Sequence, residues 1–288
     1  MIINVANFNF DCGSSGSGGG SGISGIDFSS IGYSDEFSAE LNAKMNDDVA
    51  YSKTLYDKWN PSNTSAYQLY YNDTKLVYAP NIDTSNVDSM YQMFYGCINL
   101  KTVPKINTSK VDSMQYLFAK CTSLTSVPLI NTSNVNTMYC MFADCSSLQS
   151  VPNIDTSKVK DFMGIFQSCD SLTTIEGISF KSFSASTMNS YYLVGNRLNN
   201  SIRKAVFKDI GYQSNAKEFN ASYINIWGLN TDEIQDARQS LIDSLITYSF
   251  DRASAGYPTC KISLSYTTKQ LLTDDEKSQI EAKGFTIA

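Results

Sequence analysis

Four cysteines, Cys97, Cys121, Cys145 and Cys169, stand 24 residues apart in a chain that has seven cysteines and no histidine. Thiols on a fixed period could form a metal ladder, a disulfide ladder or a packed column. The other three, Cys12, Cys140 and Cys260, fall off the period, no CxxC pair occurs and the total is odd, so neither a zinc site nor a closed disulfide framework is indicated. The absence of histidine excludes Ser-His-Asp and Cys-His nucleophiles and HExxH zinc sites, and leaves carboxylates, lysine, tyrosine and cysteine as the groups that could do chemistry. Hydroxyl pairs recur on the same period, Thr84-Ser85, Thr108-Ser109, Thr132-Ser133 and Thr156-Ser157, with no base near them in sequence. Their expected role is to cap and to bond turns. Acid pairs Asp47-Asp48, Asp232-Glu233 and Asp274-Asp275 fall at helix starts or faces, where a carboxylate stabilises the dipole or meets water. No pair can be placed across a cleft as glycosidase chemistry requires, so no catalytic residue is expected. Gly20-x-Gly22-x-x-Gly25 matches the dinucleotide fingerprint, but it lies in a Gly/Ser tract with no βαβ pattern after it, so no cofactor is expected either.

The elements that carry these residues are four copies of one phrase: 80–103, 104–127, 128–151 and 152–175. In the first, Val87, Met90, Phe94 and Cys97 follow gaps of 3, 4 and 3, one stripe of an amphipathic helix. Leu100, Val103 and Ile106 then alternate with polar residues around Pro104, which predicts a short extended segment with imperfect ladder pairing. Neither piece buries its apolar side alone, so the copies are expected to stack. Columns hold across them: Val87, Val111, Val135, Val159; Met90, Met114, Met138, Phe162; Phe94, Phe118, Phe142, Phe166; Leu100, Leu124, Leu148, Leu172. The period-related cysteines complete the stripe and are expected in the core. Packed helices lie about 10 Å apart, too far for a disulfide, which needs Cα atoms within about 7 Å. Cys140 lies outside the stripe and is expected to be exposed and free.

Counting back 24 gives a degenerate copy, Tyr70, Asp73, Leu76 and Pro80, in which the cysteine is lost. Before it, 34–59 reads as a helix capped by Ser34, with Phe37, Leu41, Met45 and Val49 every four residues, which could cover the open end of the stack or pair with other copies. Residues 12–26 are a flexible linker by composition, and 1–11, an apolar-rich strand, is expected to dock on another protein by strand addition. Thus 27–60 forms the N-terminal cap and 61–183 the repeats. Residues 184–222 read as irregular, followed by a strand at 222–227, a helix capped by Thr231, a strand at 260–265, a helix with a Thr273/Glu276 capping box ended by Gly284, and a last strand. Ile262 and Thr286 are again 24 apart, so 184–288 is expected to be two diverged α/β coils closing the stack.

The chain has 288 residues, 42% of them hydrophobic, and a net charge of -6. It has no basic run for phosphate, so no nucleic acid is expected. No apolar stretch can cross a bilayer, and the N-terminus does not read as a signal peptide.

The repeated phrase NxDTSNVxSMxxMFxxCxxLxxVP resembles the BspA-like leucine-rich repeat of surface proteins from gut and oral bacteria, mycoplasmas and their phages, clearly over about 60 to 180 and more loosely beyond. The resemblance implies an α/β, right-handed leucine-rich-repeat solenoid of 24-residue helix-plus-strand coils, non-enzymatic, serving adhesion or recognition. The opening strand and tether, with YSKTLYDKWNPS leading into the repeats, also resemble virion proteins of gut (crAss-like) phages. The expectation is a phage head- or tail-fibre-associated protein, located in the virion. It would attach to other virion proteins through residues 1–59, is expected to be a homo-oligomer with a trimer as the favoured form, and would bind host-surface glycan or protein. The alternative is a secreted or surface-exposed bacterial adhesin of the same repeat type. The expected ligand face is the polar side of the extended stretch: Lys101, Thr102, Lys105, Thr125, Ser126, Gln149, Ser150, Thr173 and Thr174. Tyr91, Tyr95, Tyr116 and Tyr139 are expected to pack between coils, with stacking on sugars as their functional use.

Overall fold

The computed structural model describes residues 49–151, 154–182, 187–189, 204–220 and 231–288. The strand expected at 1–11, the linker at 12–26, the helix before residue 49 with its Ser34 cap, the strand at 222–227 and the Thr231 side chain all lie outside the described residues. Helix α1, Val49–Asp57, leads into the repeats.

The copies stack, but the helix expected in each is not there. Between residues 60 and 173 the described backbone is a succession of turns and extended bonds. Alternate amides do different things. Those of Met93, Tyr95 and Cys97 close turns on the carbonyls of Met90, Gln92 and Phe94 at 3.1–3.2 Å. Those of Met90, Gln92, Phe94 and Gly96 reach across to Ser113, Gln115, Leu117 and Ala119 of the next copy at 2.8–3.0 Å. The same four rungs join each later copy to its successor, ending with Met138, Cys140, Phe142 and Asp144 bonded to Asp161, Met163, Ile165 and Gln167. An α-helix would spend all these amides inside its own segment. Redirecting every second one requires left-handed residues four apart: Gln92 (φ 54°) and Gly96 (φ 71°), then Tyr116 and Lys120, then Cys140 and Asp144. For a non-glycine residue that conformation costs about 1–2 kcal/mol, offset here by the cross-copy bonds. At Gly96 a Cβ would also displace the Asn72 side-chain amide, whose Oδ1 packs against that position. The 3-4-3 spacing still marks the inward side chains: Val87, Met90, Phe94, Cys97 and Leu100 are all buried.

Two thinner ladders complete each copy. Parallel bridges run Ser65, Ser89, Ser113, Thr137, Asp161. In the extended stretch, single bonds run from Lys101 to Val77, Thr125 to Lys101 and Gln149 to Thr125. The thinness of this ladder fits the recurring proline, which has no amide to donate.

Down the centre, Tyr70, Phe94, Phe118, Phe142 and Phe166 form one stacked column with centroids 5.5–5.9 Å apart. The period-related cysteines are in the core, but not only as filler. Cys97, Cys121, Cys145 and Cys169 thiols donate to the carbonyls of Tyr70, Phe94, Phe118 and Phe142 at 3.0–3.1 Å. The repeated threonines bond coils and cap no helix: Thr84 and Thr108 hydroxyls donate to the Asn107 and Asn131 carbonyls, both at 2.8 Å. Capping of the turn falls to the residue before, since Asp83, Asn107, Asn131 and Asp155 accept the amides of Ser85, Ser109, Ser133 and Ser157.

Helix α1 covers the first copy. Leu55 enters the core, and its carbonyl accepts the Tyr70 hydroxyl at 2.9 Å. Asp73, which replaces the missing cysteine, accepts Tyr51 Oη at 2.7 Å and pairs with Lys58 at 3.3 Å. Trp59 Nε1 donates to the Asp83 carbonyl.

At the other end the segment read as irregular contains strands. β1 (Thr174–Ser179) pairs in parallel with β3 (Lys204–Lys208). β2 (Thr187–Asn189), β4 (Glu218–Asn220), β5 (Cys260–Ser263) and β6 (Phe285–Ile287) form a parallel sheet in that order. Helix α2 (Thr231–Ile242) runs into a π-helical turn, Asp243–Thr247; α3 is Tyr266–Lys269 and α4 is Asp274–Ala282. The expected capping box is present on α4. β5 and β6 pair Lys261 with Thr286 and Ile262 with Ile287, a register one residue from the expected 24.

Candidate functional site

Regular stacking presents one residue of each repeat position in a row on the surface. The row expected from sequence to meet a ligand is only partly available. Lys101, Lys105, Thr125, Gln149, Ser150 and Thr173 are exposed, Ser126 and Thr174 are half-buried, and Thr102 is buried. Thr102 is a correction: it follows the outward Lys101 in an extended segment bridged to Tyr78, so its side chain takes the opposite, inward face. Lys101, Thr125 and Gln149 are joined by their backbone bonds, so these three do form a row.

A second side carries the larger chemical signal. Tyr67 stacks on Tyr91 (5.3 Å, 5°) and Tyr71 on Tyr95 (5.1 Å, 7°). Tyr116 meets Tyr91, Tyr95 and Tyr139 edge-on at 5.2–6.2 Å. Six tyrosines over four coils thus make one continuous aromatic surface, lined beneath by Ala119, Cys140 and Ala143. Tyr67 and Tyr71 are 59% and 40% exposed, and the other four are half-buried. Lys120 Nζ stands 5.3 Å over the Tyr95 ring, and its hydrogen bond to Tyr95 raises its pKa. Burial, then the hydrogen bond with Tyr139, pushes the Tyr116 phenol up. In the two stacked pairs each ring has one face covered by its partner, which halves the flat face left to a ligand. That disfavours the sugar-stacking use foreseen from sequence and suits a surface that packs and hydrogen-bonds. Tyr67 and Tyr71 were missed there, although counting back 24 from Tyr91 and Tyr95 finds both.

Cys140 is the other correction. It is free of any disulfide, as expected, but buried at 8% exposure, because its left-handed backbone lays the side chain among Ala119, Ala143 and the tyrosines. Burial raises every described thiol, Cys97 to about 12 and Cys260 to about 11, with Cys121, Cys145 and Cys169 well above the ordinary value. The expected outcome of alkylation at pH 8 is therefore slow labelling of the four period-related thiols, at least a hundredfold below their rate in denaturant, with Cys140 fastest among the six described cysteines. Peptide mass mapping against time checks it; rapid native labelling of Cys121 would contradict the packing.

A third feature is an open groove of about 640 Å³ between Lys105–Ser109, Leu129–Thr132 and Asp155. Of the residues expected to bind, it contains Lys105 alone. Hydrogen bonds from Ser157 hold the Asp155 carboxyl below its usual range.

Among the described residues, no helix is long and apolar enough to cross a membrane, and no cluster of three metal-ligating side chains occurs. These features define a repeat protein whose successive coils are joined backbone to backbone. Residues 64–177 match the family described as "Mycoplasma protein of unknown function, DUF285", a span that takes in the degenerate copy and the four regular ones. No curated protein and no solved structure matches the chain.

Proposed function

We propose that this chain is a non-enzymatic recognition protein, and that its coils form a right-handed leucine-rich-repeat solenoid of the BspA-like type. The stack would bind host-surface glycan or protein. The observation that carries this reading is the tyrosine side. Most large side chains of the repeats are buried, yet six tyrosines stay exposed or half-buried over four adjacent coils. Tyrosine supplies large contact area at low conformational cost, which is why it concentrates in recognition surfaces. The match to the family over 64–177 supports the repeat type.

Two carriers suit such a module. In the first it is part of a phage particle, attached through residues 1–59 and assembled as a homo-oligomer. In the second it is displayed or secreted by a bacterium. Mass spectrometry of purified virions and of surface-shaved cells separates them.

The binding reading is tested with purified full-length protein on candidate host cells, by flow cytometry. Wild type is expected to bind, and the Tyr91→Ser/Tyr95→Ser variant to bind at least tenfold more weakly while keeping its circular dichroism spectrum. Equal binding by the variant, or none by wild type, would remove the tyrosine side from the function.

A further inference from the structure

We propose that the groove between Lys105–Ser109, Leu129–Thr132 and Asp155 is a saccharide subsite for an uncharged, hydroxyl-rich chain lying across the coils. This rests on reading the protein as a surface-recognition module, but it concerns a different segment of the coil from the tyrosine side.

The groove has an apolar wall. Leu129 is 66% exposed, an aliphatic side chain left to water beside the buried Ile106 and Ile130. Next to it runs a polar row, one residue per coil: Asn107, Asn131 and Asp155, all exposed. Each has its Oδ1 held by the amide two residues on, at 3.1, 3.1 and 2.9 Å. That bond restrains each head group and leaves its second atom, Nδ2 in Asn107 and Asn131 and Oδ2 in Asp155, as the one a ligand would meet. Ordering them costs a ligand little, and preorganised polar groups discriminate best. The hydroxyls of Thr108 and Thr132 are already engaged between coils, so they belong to the frame.

The row offers two amide donors and one carboxylate acceptor, and Lys105 lines the same groove. A cation and an anion in one groove disfavour a ligand of strong charge of either sign. Sugar hydroxyls donate and accept at once, which fits amides and carboxylate together, and the C–H face of a pyranose covers a leucine. Successive head groups are spaced by the coil repeat, about 5 Å for parallel neighbours, roughly one pyranose unit. The row can therefore read neighbouring sugars of an extended oligosaccharide.

The test is titration of the ¹⁵N-labelled full-length chain with a panel of neutral oligosaccharides: gluco-, manno-, galacto- and N-acetylglucosamine oligomers. At least one is expected to shift the amides of Asn107, Ser109, Asn131 and Asp155. Leu129→Asp and Asp155→Asn are each expected to weaken its binding at least tenfold by calorimetry. Both sites are exposed, and Asp155→Asn keeps the turn acceptor, so folding is retained. No shift with any panel member overturns the proposal, as does binding that survives both substitutions. Saccharide binding lost in Tyr91→Ser/Tyr95→Ser but kept in the groove variants also overturns it, while leaving the recognition reading intact. Loss of cell binding in the tyrosine variant, with groove saccharide binding retained, supports two separate surfaces.

Discussion

Replacing Arg252 with methionine is expected to destabilise the C-terminal region by about 4 kcal/mol, at the upper end for a single substitution. Arg252 is fully buried. Its partners are carbonyls: Gly211 at 2.5 Å, Gln213 at 2.8 Å, Pro258 at 2.5 and 2.8 Å, and Ser214 and Ala216 at 3.3 Å. The guanidinium therefore gathers the 211–216 loop onto the 252–258 turn, and the Tyr257 ring covers it at 5.6 Å. Methionine fills much of the volume but takes the donors away from five carbonyls. Gln213 keeps the Ala216 amide and Ser214 and Pro258 are exposed, so the loss falls on Gly211 and Ala216, where each unsatisfied buried group costs about 1–3 kcal/mol. Relaxation toward water reduces that sum. Arg252→Lys separates charge from geometry. It keeps the cation but has three donors on one atom instead of a planar fork, so about 2–3 kcal/mol should still be lost. Urea denaturation followed by limited proteolysis reads both, with first cuts expected in 211–216 and 252–258. A lysine variant as stable as wild type would show that the fork does not hold these loops.

Nothing in the local sequence distinguishes Arg252 from a surface arginine, since four of its five acceptor carbonyls come from a loop 36–41 residues away. The repeats were far more legible. A period of 24 with constant apolar columns requires each copy to meet its neighbours in the same way, and the columns are buried as that demands. What the period could not reveal was the backbone between them. A 3-4-3 spacing turns the same side chains inward in a helix and in a run of turns whose alternate amides leave the segment. The distinguishing mark is the left-handed position. Asn72, Gly96 and Asp144 tolerate it and hint at it, whereas Gln92, Tyr116 and Cys140 do not.

The same substitution of turns for helix explains the surface errors. On a helix Cys140 would face away from the stripe; in the turn it lies under the tyrosines. The threonine column was read as helix caps because Thr-Ser before an apolar stripe is a capping signal. Without a helix to cap, the hydroxyl serves the next coil instead. The strand β3 was missed for another reason. Ala205, Val206 and Phe207 are all buried, so no polar alternation marks the segment as a strand.

The centre of the stack should be the most sensitive place in the repeats. Phe118 is fully buried, with Phe94 at 5.6 Å on one side and Phe142 at 5.5 Å on the other. Phe118→Ala is expected to cost about 3–5 kcal/mol, from lost transfer energy and the cavity left behind. In a stack where each coil holds only its neighbours, stability is a sum of coil terms and interface terms. Phe118 contributes to two interfaces at once, so its removal should also loosen the coupling between the coils before and after it. The expected denaturation curve is lower in midpoint and broader, with a reduced slope or two resolved steps. Phe118→Leu, which keeps most of the volume, should cost less and leave the slope unchanged. The Cys145 thiol offers an independent reading, because it donates to the Phe118 carbonyl and reaches water only when these two coils part. Its alkylation rate should rise in Phe118→Ala well before global unfolding, while that of Cys260 stays low. A sharp, two-state transition shifted by less than 1 kcal/mol would mean that the ring column does not couple the coils, and that the backbone rungs alone hold them.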